Sequence, residues 1–226
     1  MIAPKKDSSP LHPFWWFWLP ICLALVLAVV EQFLPETTRT ALYEEDSIIE
    51  MTQALVAFIA AGFGFACLKH CKGNTFLLVW VLLGTLASLY IGLEEISYGQ
   101  QIFHWQTPEE WKSVNRQWET NLHNTTSWLN EKPKLLLWLG VLAGGIVIPL
   151  LRRKKPKLLP EKFKAIYPDD ALFWTSVMSI FAYISKFLQK EGFVTLYGRT
   201  TEIHEFYLYY FVMLYFVLLR LRLKAP

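Results

Sequence analysis

The sequence predicts an all-α fold, a polytopic membrane helix bundle with about six transmembrane helices and one interfacial amphipathic helix on the outer side. Three observations carry this expectation. Apolar residues make up 54% of the chain and mean hydropathy is +0.28, high for a water-soluble protein of this length. Six apolar stretches match or approach the roughly 20 residues that cross a hydrocarbon core. Aromatics reach 16% with ten Trp, as expected of chains anchored at membrane interfaces. A chain of 226 residues allows one transmembrane domain over 1–226.

The first span is expected over 14–34, after Lys5 and Lys6. Its apolar run is longer than the about 7–15 residues of a signal-peptide core, and Glu31-Gln32-Phe33 follows it instead of a small-residue cleavage site. It therefore reads as a retained span. The others are expected at about 48–68, 75–93, 134–151, 169–188 and 202–221. The fourth carries a GxxxG at Gly140 and Gly144, which suits close helix packing. The fifth carries Ser176, Ser179 and Ser185.

Basic residues orient these spans. With the N-terminus inside, 14 Lys and Arg fall on inner segments and 8 on outer ones. The densest run, Arg152-Arg153-Lys154-Lys155, is inner. Both termini are then cytoplasmic. The run serves first as a topology signal and only second as a site for lipid headgroups. A net charge of +3 gives no case for nucleic acid as a partner. Cys22, Cys67 and Cys71 all fall in or beside spans, so no disulfide is expected. Cys67 and Cys71 share a helix face but lack two further ligands for a metal. The chain has no P-loop, no GxGxxG, no GxSxG and no HExxH.

This orientation gathers the unusual polar residues on the outer side. Glu44, Glu45, Asp46 and Glu50 open the second span there, and Glu94 and Glu95 close the third. Glu202, His204 and Glu205 open the sixth. Acidic residues at helix N-termini complement the helix dipole, which accounts for Glu44–Asp46 and Glu202 without any function. Glu94 and Glu95 sit at a C-terminal end, where the dipole opposes them, so they most need partners. Tyr207, Tyr209 and Tyr210 read most simply as packing or lipid-facing aromatics.

The long outer connection reads as a helix over 108–131. Thr107-Pro108-Glu109-Glu110 has the form of a capping box, and Trp111, Val114, Trp118, Leu122, Thr125 and Leu129 follow at helical spacing. The helix is expected to lie flat on the outer leaflet and to end before Pro133. Asn115, Glu119 and His123 step by four along one edge of its aromatic stripe. His123 taken alone is an ordinary interfacial histidine.

The run Gly92-Leu93-Glu94-Glu95-Ile96-Ser97-Tyr98-Gly99-Gln100-Gln101 is similar to a GEEISWGQR-type motif. The stretch from Asn115 to Asn124 looks like a companion NxQxExNLHN motif. With the acidic opening Glu45-Asp46-Ser47-Ile48-Ile49-Glu50, they resemble a group of uncharacterised bacterial multi-pass membrane proteins over residues 44–125. This chain departs at Tyr98, where Trp is usual, and at Gln101, where a basic residue is usual. The resemblance implies a bacterial inner membrane and a polar cluster facing the periplasm. It implies no activity.

Three functions fit the cluster. One is a structural, sensory or assembly component of the membrane, with the polar residues as a hydrogen-bonded core. A second is a hydrolase or transferase acting on a lipid or lipid-linked substrate. Its candidate catalytic residues are Glu50, Glu95, Glu119, His123, Glu202 and His204, with Glu95, His123, His204 and Glu205 as ligands of a divalent metal such as zinc. The third is a cation- or proton-coupled transporter using Glu50 or Glu95. The lipid bilayer is the partner common to all three. A shared pocket is expected for Glu50, Glu95, His123 and at least one of Glu202 and His204, because buried carboxylates need partners.

Overall fold

The computed structural model describes residues 9–35, 37–38, 47–193 and 195–224. Lys5, Lys6, Arg39, Glu44, Glu45 and Asp46 lie outside them. The protein is an all-helical bundle, with no strand among the described residues. A π-helical turn, Phe14–Trp18, leads into α1 (Leu19–Phe33). Then come α2 (Ile48–Leu68) and α3 (Thr75–Glu95), followed by the short α4 (Gln100–Phe103) and α5 (Glu109–Val114). Helix α6 (Ser127–Leu142) continues through a π-helical turn, Ala143–Val147, into α7 (Ile148–Lys154). Two long helices complete the bundle, α8 (Leu172–Lys190) and α9 (Thr200–Lys224).

Five helical stretches are long and apolar enough to cross a membrane: Phe14–Phe33, α2, α3, Ser127–Lys154 and α9. The stretch expected as a fifth span over 169–188 forms the amphipathic α8, which is not apolar enough to be among them. Thr175, Ser176, Ser179 and Ser185 are buried, while Trp174, Phe181, Ile184 and Phe187 are exposed. Hydroxyls on the packed face of a helix can bond to backbone carbonyls, as Ser185 does to Phe181 O and Ser176 to Val141 O.

Helix α9 is the most enclosed element and packs against α2 and α8, while α2 packs against α3. Small residues on α2 (Ala54, Ala57, Ala60, Ala61, Gly64) permit the close approach. A Cβ on Gly64 would fall 2.2 Å from Thr85 Oγ1. The expected GxxxG is half used. Nothing lies within 4 Å of a Cβ built on Gly140, whereas one on Gly144 would meet Pro168 at 2.9 Å and one on Gly145 would meet Ser176 Oγ at 1.7 Å.

Two expected elements are redrawn. The fourth span starts at Ser127, not 134, with Thr126 as its cap accepting from Leu129 N, and Pro133 lies inside it. Pro133 is the seventh residue of this helix, past its first turn, so Leu129 O lacks the helical N–H it would otherwise accept. Lys134 thereby sits two turns inside a helix instead of at its mouth. The interfacial helix expected over 108–131 is only the six-residue α5, and 115–126 is irregular. Asn115 ends it. Its backbone is extended and its side-chain oxygen accepts from Gln117 N and Glu119 N, an alternative to helical bonding that asparagine readily offers. Thr107 caps nothing. Its hydroxyl donates to Trp118 O and accepts from Gln100 Nε2. Trp118 has positive φ and is largely exposed.

Candidate functional site

The polar ends of α2, α3, α6, α8 and α9 surround a cavity of about 660 Å³, with segment 115–124 over it. Its lining includes Glu50, Glu95, Glu119, His123, Glu202, His204 and Glu205. The expected convergence therefore holds: Glu50, Glu95, His123, Glu202 and His204 face one cavity.

The covering segment is built from the two motifs noted in the sequence. Past Glu95 the chain leaves the helix through Ser97, Tyr98 and Gly99, all at positive φ. Left-handed backbone at two successive non-glycine residues is strained and persists only where the surroundings enforce it. Here the other motif does so. Ser97 O accepts from Thr120 Oγ1, Ser97 Oγ from Asn121 Nδ2, and Gln100 Oε1 from Thr120 N. Glu94 Oε2 accepts from Leu122 N and His123 N, each at 2.8 Å, and lies 3.2 Å from His123 Nδ1. Those N–H groups give Glu94 the partners that its position against the helix dipole requires. The phenol of Tyr98 lies beside it. Burial, then the Glu94 charge, holds the Tyr98 pKa above the ordinary tyrosine value. This turn breaks the helix between Glu95 and Gln100.

Glu119 is held by amides. It accepts from Gln101 Nε2 at 3.2 Å, from Asn124 Nδ2 at 3.2 Å and from Asn121 Nδ2. Gln101 also reaches Glu50 at 3.4 Å, so its amide links α2 to the covering segment. Glu119, expected as a catalytic residue, lines the cavity with both oxygens already engaged.

Deeper in lie Glu95, Glu202 and Glu205 with Lys134. Lys134 Nζ is 2.7 Å from Glu205, and the Tyr209 hydroxyl donates to Glu95 at 3.0 Å. Gln53 donates to Glu202 O at 2.8 Å and approaches Glu202 Oε2 at 3.4 Å. His204 is 7% exposed and packs against the rings of Trp138 and Tyr183, and its Nε2 has no hydrogen-bond partner. The four residues expected to ligate a metal all line the cavity but do not form a ligand set. His123 Nδ1 is turned to Glu94 and Lys134 occupies Glu205. Among the described residues, no group of three or more His, Cys, Asp and Glu side chains is arranged to hold a metal ion.

At the mouth, Lys186, Lys190 and Arg199 join the lining. The loop carrying Arg199 is pinned to α1. Tyr197 donates to Ala24 O, and Glu31 accepts from Gly198 N. Burial, with Glu31 adding to it, pushes the Tyr197 phenol up to about 12, so it remains a neutral donor.

Lys134, Tyr209, Gln53 and the Trp138–Tyr183–His204 ring group were not singled out as site residues from the sequence. Lys134 was counted only toward topology. A lysine followed by Leu135, Leu136 and Leu137 was the available signal.

Compared with known proteins, the chain matches no family model, no curated protein and no solved structure. Fold and cavity together define its class, a helical membrane protein with a charged cavity at one end of the bundle.

Proposed function

We propose that this is a bacterial inner-membrane protein in which α8 crosses as a sixth span beside the five apolar ones, with cytoplasmic termini and the cavity facing the periplasm, and that it holds the polar group of a lipid or lipid-linked molecule. One observation carries the reading. The cavity is charged inside, but its flank between α6 and α8 is apolar, lined by Leu135 and Phe187, which are exposed on the bundle surface. A purely structural polar core would be filled by its own hydrogen bonds, and this one encloses space. Beneath it the bundle is packed with Leu208, Phe211 and Leu214, which favours a site reached from one end over a path through the membrane. The bacterial inner membrane in this reading rests on the resemblance of the two motif runs alone.

A second reading follows from Glu94 and His123. A carboxylate on Nδ1 fixes the imidazole and leaves Nε2 as the basic nitrogen, the arrangement of a general base. His123 would then activate water or a hydroxyl against a lipid-linked substrate, as a hydrolase or transferase does.

Native mass spectrometry of protein extracted in mild detergent tests the main reading. Asn130, on the first turn of α6, lines the cavity. Wild type is expected to retain a lipid-sized adduct, and Asn130→Trp to lose it while melting at the same temperature. Equal adducts in both, or none in either, would overturn the reading.

A further inference from the structure

The cavity is graded in charge from floor to mouth. At the floor, Glu95, Glu202 and Glu205 share one lysine, Lys134, and Glu95 feels both other carboxylates. That is three carboxylates against one ammonium. At the mouth, Lys190 and Arg199 are exposed and Lys186 is half-buried, with no ion pair to any of them among the described residues. With Lys132 and one carboxylate, Glu131, the exposed rim is net basic, and Arg199 lies one turn from Glu202, so the basic rim and the acidic floor adjoin.

His204 adds an independent observation. It is more than nine-tenths buried at the floor, it lines the cavity, and its Nε2 has no partner. A buried polar atom left unpaired is costly, and a bound partner removes that cost. Trp138 and Tyr183, stacked with centroids 4.3 Å apart, stand beside it on the same wall. Aromatic rings next to carboxylates favour a cation, which gains from the ring quadrupole as well as from the charges.

We infer that the cavity takes a zwitterion of the aminoalkyl phosphate type, with its ammonium at the floor among Glu95, Glu202 and His204 and its phosphate at the mouth against Lys190 and Arg199. This rests on the binding reading above and names its ligand class. An anionic headgroup without the amine would meet three carboxylates. A cation without the phosphate would leave the basic mouth unmatched. The apolar flank at Leu135 and Phe187 gives acyl chains a place to lie when the zwitterion belongs to a lipid.

The test uses the full chain, purified in detergent and delipidated. It is titrated separately with phosphatidylethanolamine, with phosphatidylglycerol of the same acyl chains, and with soluble phosphoethanolamine. Adducts are counted by native mass spectrometry and melting is followed in parallel. Phosphatidylethanolamine is expected to be retained at least about tenfold better than phosphatidylglycerol, the scale of one well-placed charge interaction. Glu95→Gln is expected to reduce that preference from the floor, and Lys190→Glu with Arg199→Glu to reduce it from the exposed mouth. Stabilisation by phosphoethanolamine alone, equal to that by the lipid, supports the zwitterion and makes the soluble form its source. Equal retention of both lipids, with Asn130→Trp releasing both, overturns the zwitterion and leaves the binding reading standing. No retention of any probe overturns both.

Discussion

Glu94 Oε2 takes the main-chain N–H of His123 at 2.8 Å and faces its ring Nδ1 at 3.2 Å. The last turn of one span thus holds a residue of the covering segment by both backbone and side chain. The backbone share is the larger, because Leu122 N donates to the same oxygen. Glu94→Ala strands these donors and is expected to cost about 3 kcal/mol, or roughly 6–12 °C in Tm for a chain of this size. His123→Ala keeps both backbone bonds and should cost about 1 kcal/mol. Thermal unfolding in detergent checks the order, and a His123 variant less stable than the Glu94 variant would contradict it.

Gln101 stands between Glu50 and Glu119 with a single amide nitrogen. Gln101→Leu removes the only bridge described between those carboxylates and should lower Tm by about 4–8 °C. Gln101→Arg puts a cation where both can accept from it, and is expected to match or exceed wild type. An arginine variant no better than the leucine variant would show that the two carboxylates do not need Gln101.

Gly145 and Gly140 separate packing from helix propensity. A Cβ at 145 would lie 1.7 Å from Ser176 Oγ and 2.6 Å from Ser176 Cβ, so the α8 backbone must move. Gly145→Ala should cost about 1–3 kcal/mol. Gly140→Ala meets nothing within 4 Å and should be neutral or stabilising. Melting temperatures of the two variants check this, and equal values would mean that α6–α7 does not pack on α8 as described.

The proposed orientation rests on the basic residues and is tested by labelling. Cysteine introduced at Ser127, on the cavity end, is expected to react with an impermeant thiol reagent from the periplasm. Cysteine introduced at Lys155, at the other end, should react only after the membrane is opened. The reverse pattern would turn the cavity toward the cytoplasm.

The helical bundle and the common depth of Glu50, Glu95, Glu202 and His204 were legible because span ends follow from hydropathy and basic-residue asymmetry. The need of Glu94 for a partner was legible from the helix dipole, but the identity of the partner was not. Helical periodicity over 108–131 concealed it, since Trp111, Trp118 and Leu122 keep the spacing while Asn115 diverts the backbone into side-chain bonds. Periodicity registers apolar positions and is blind to such competition. Lys134 was missed for a related reason. Pro133 suggested a boundary, yet the helix begins a turn and a half earlier and carries the proline within it. The amphipathic α8 shows the same limit, as its serines face the bundle while Phe181, Ile184 and Phe187 are exposed.

Whether the cavity over Lys134 and Glu205 is a ligand site or a gap in a structural core is open to direct observation. An experimental density map of the protein extracted with its native lipids tests it most directly. Non-protein density is expected in the cavity, within hydrogen-bond reach of His204 or Glu95 and extending past Leu135 and Phe187. A cavity closed by its own side chains, with His204 Nε2 bonded to a neighbouring residue and no foreign density, would contradict it.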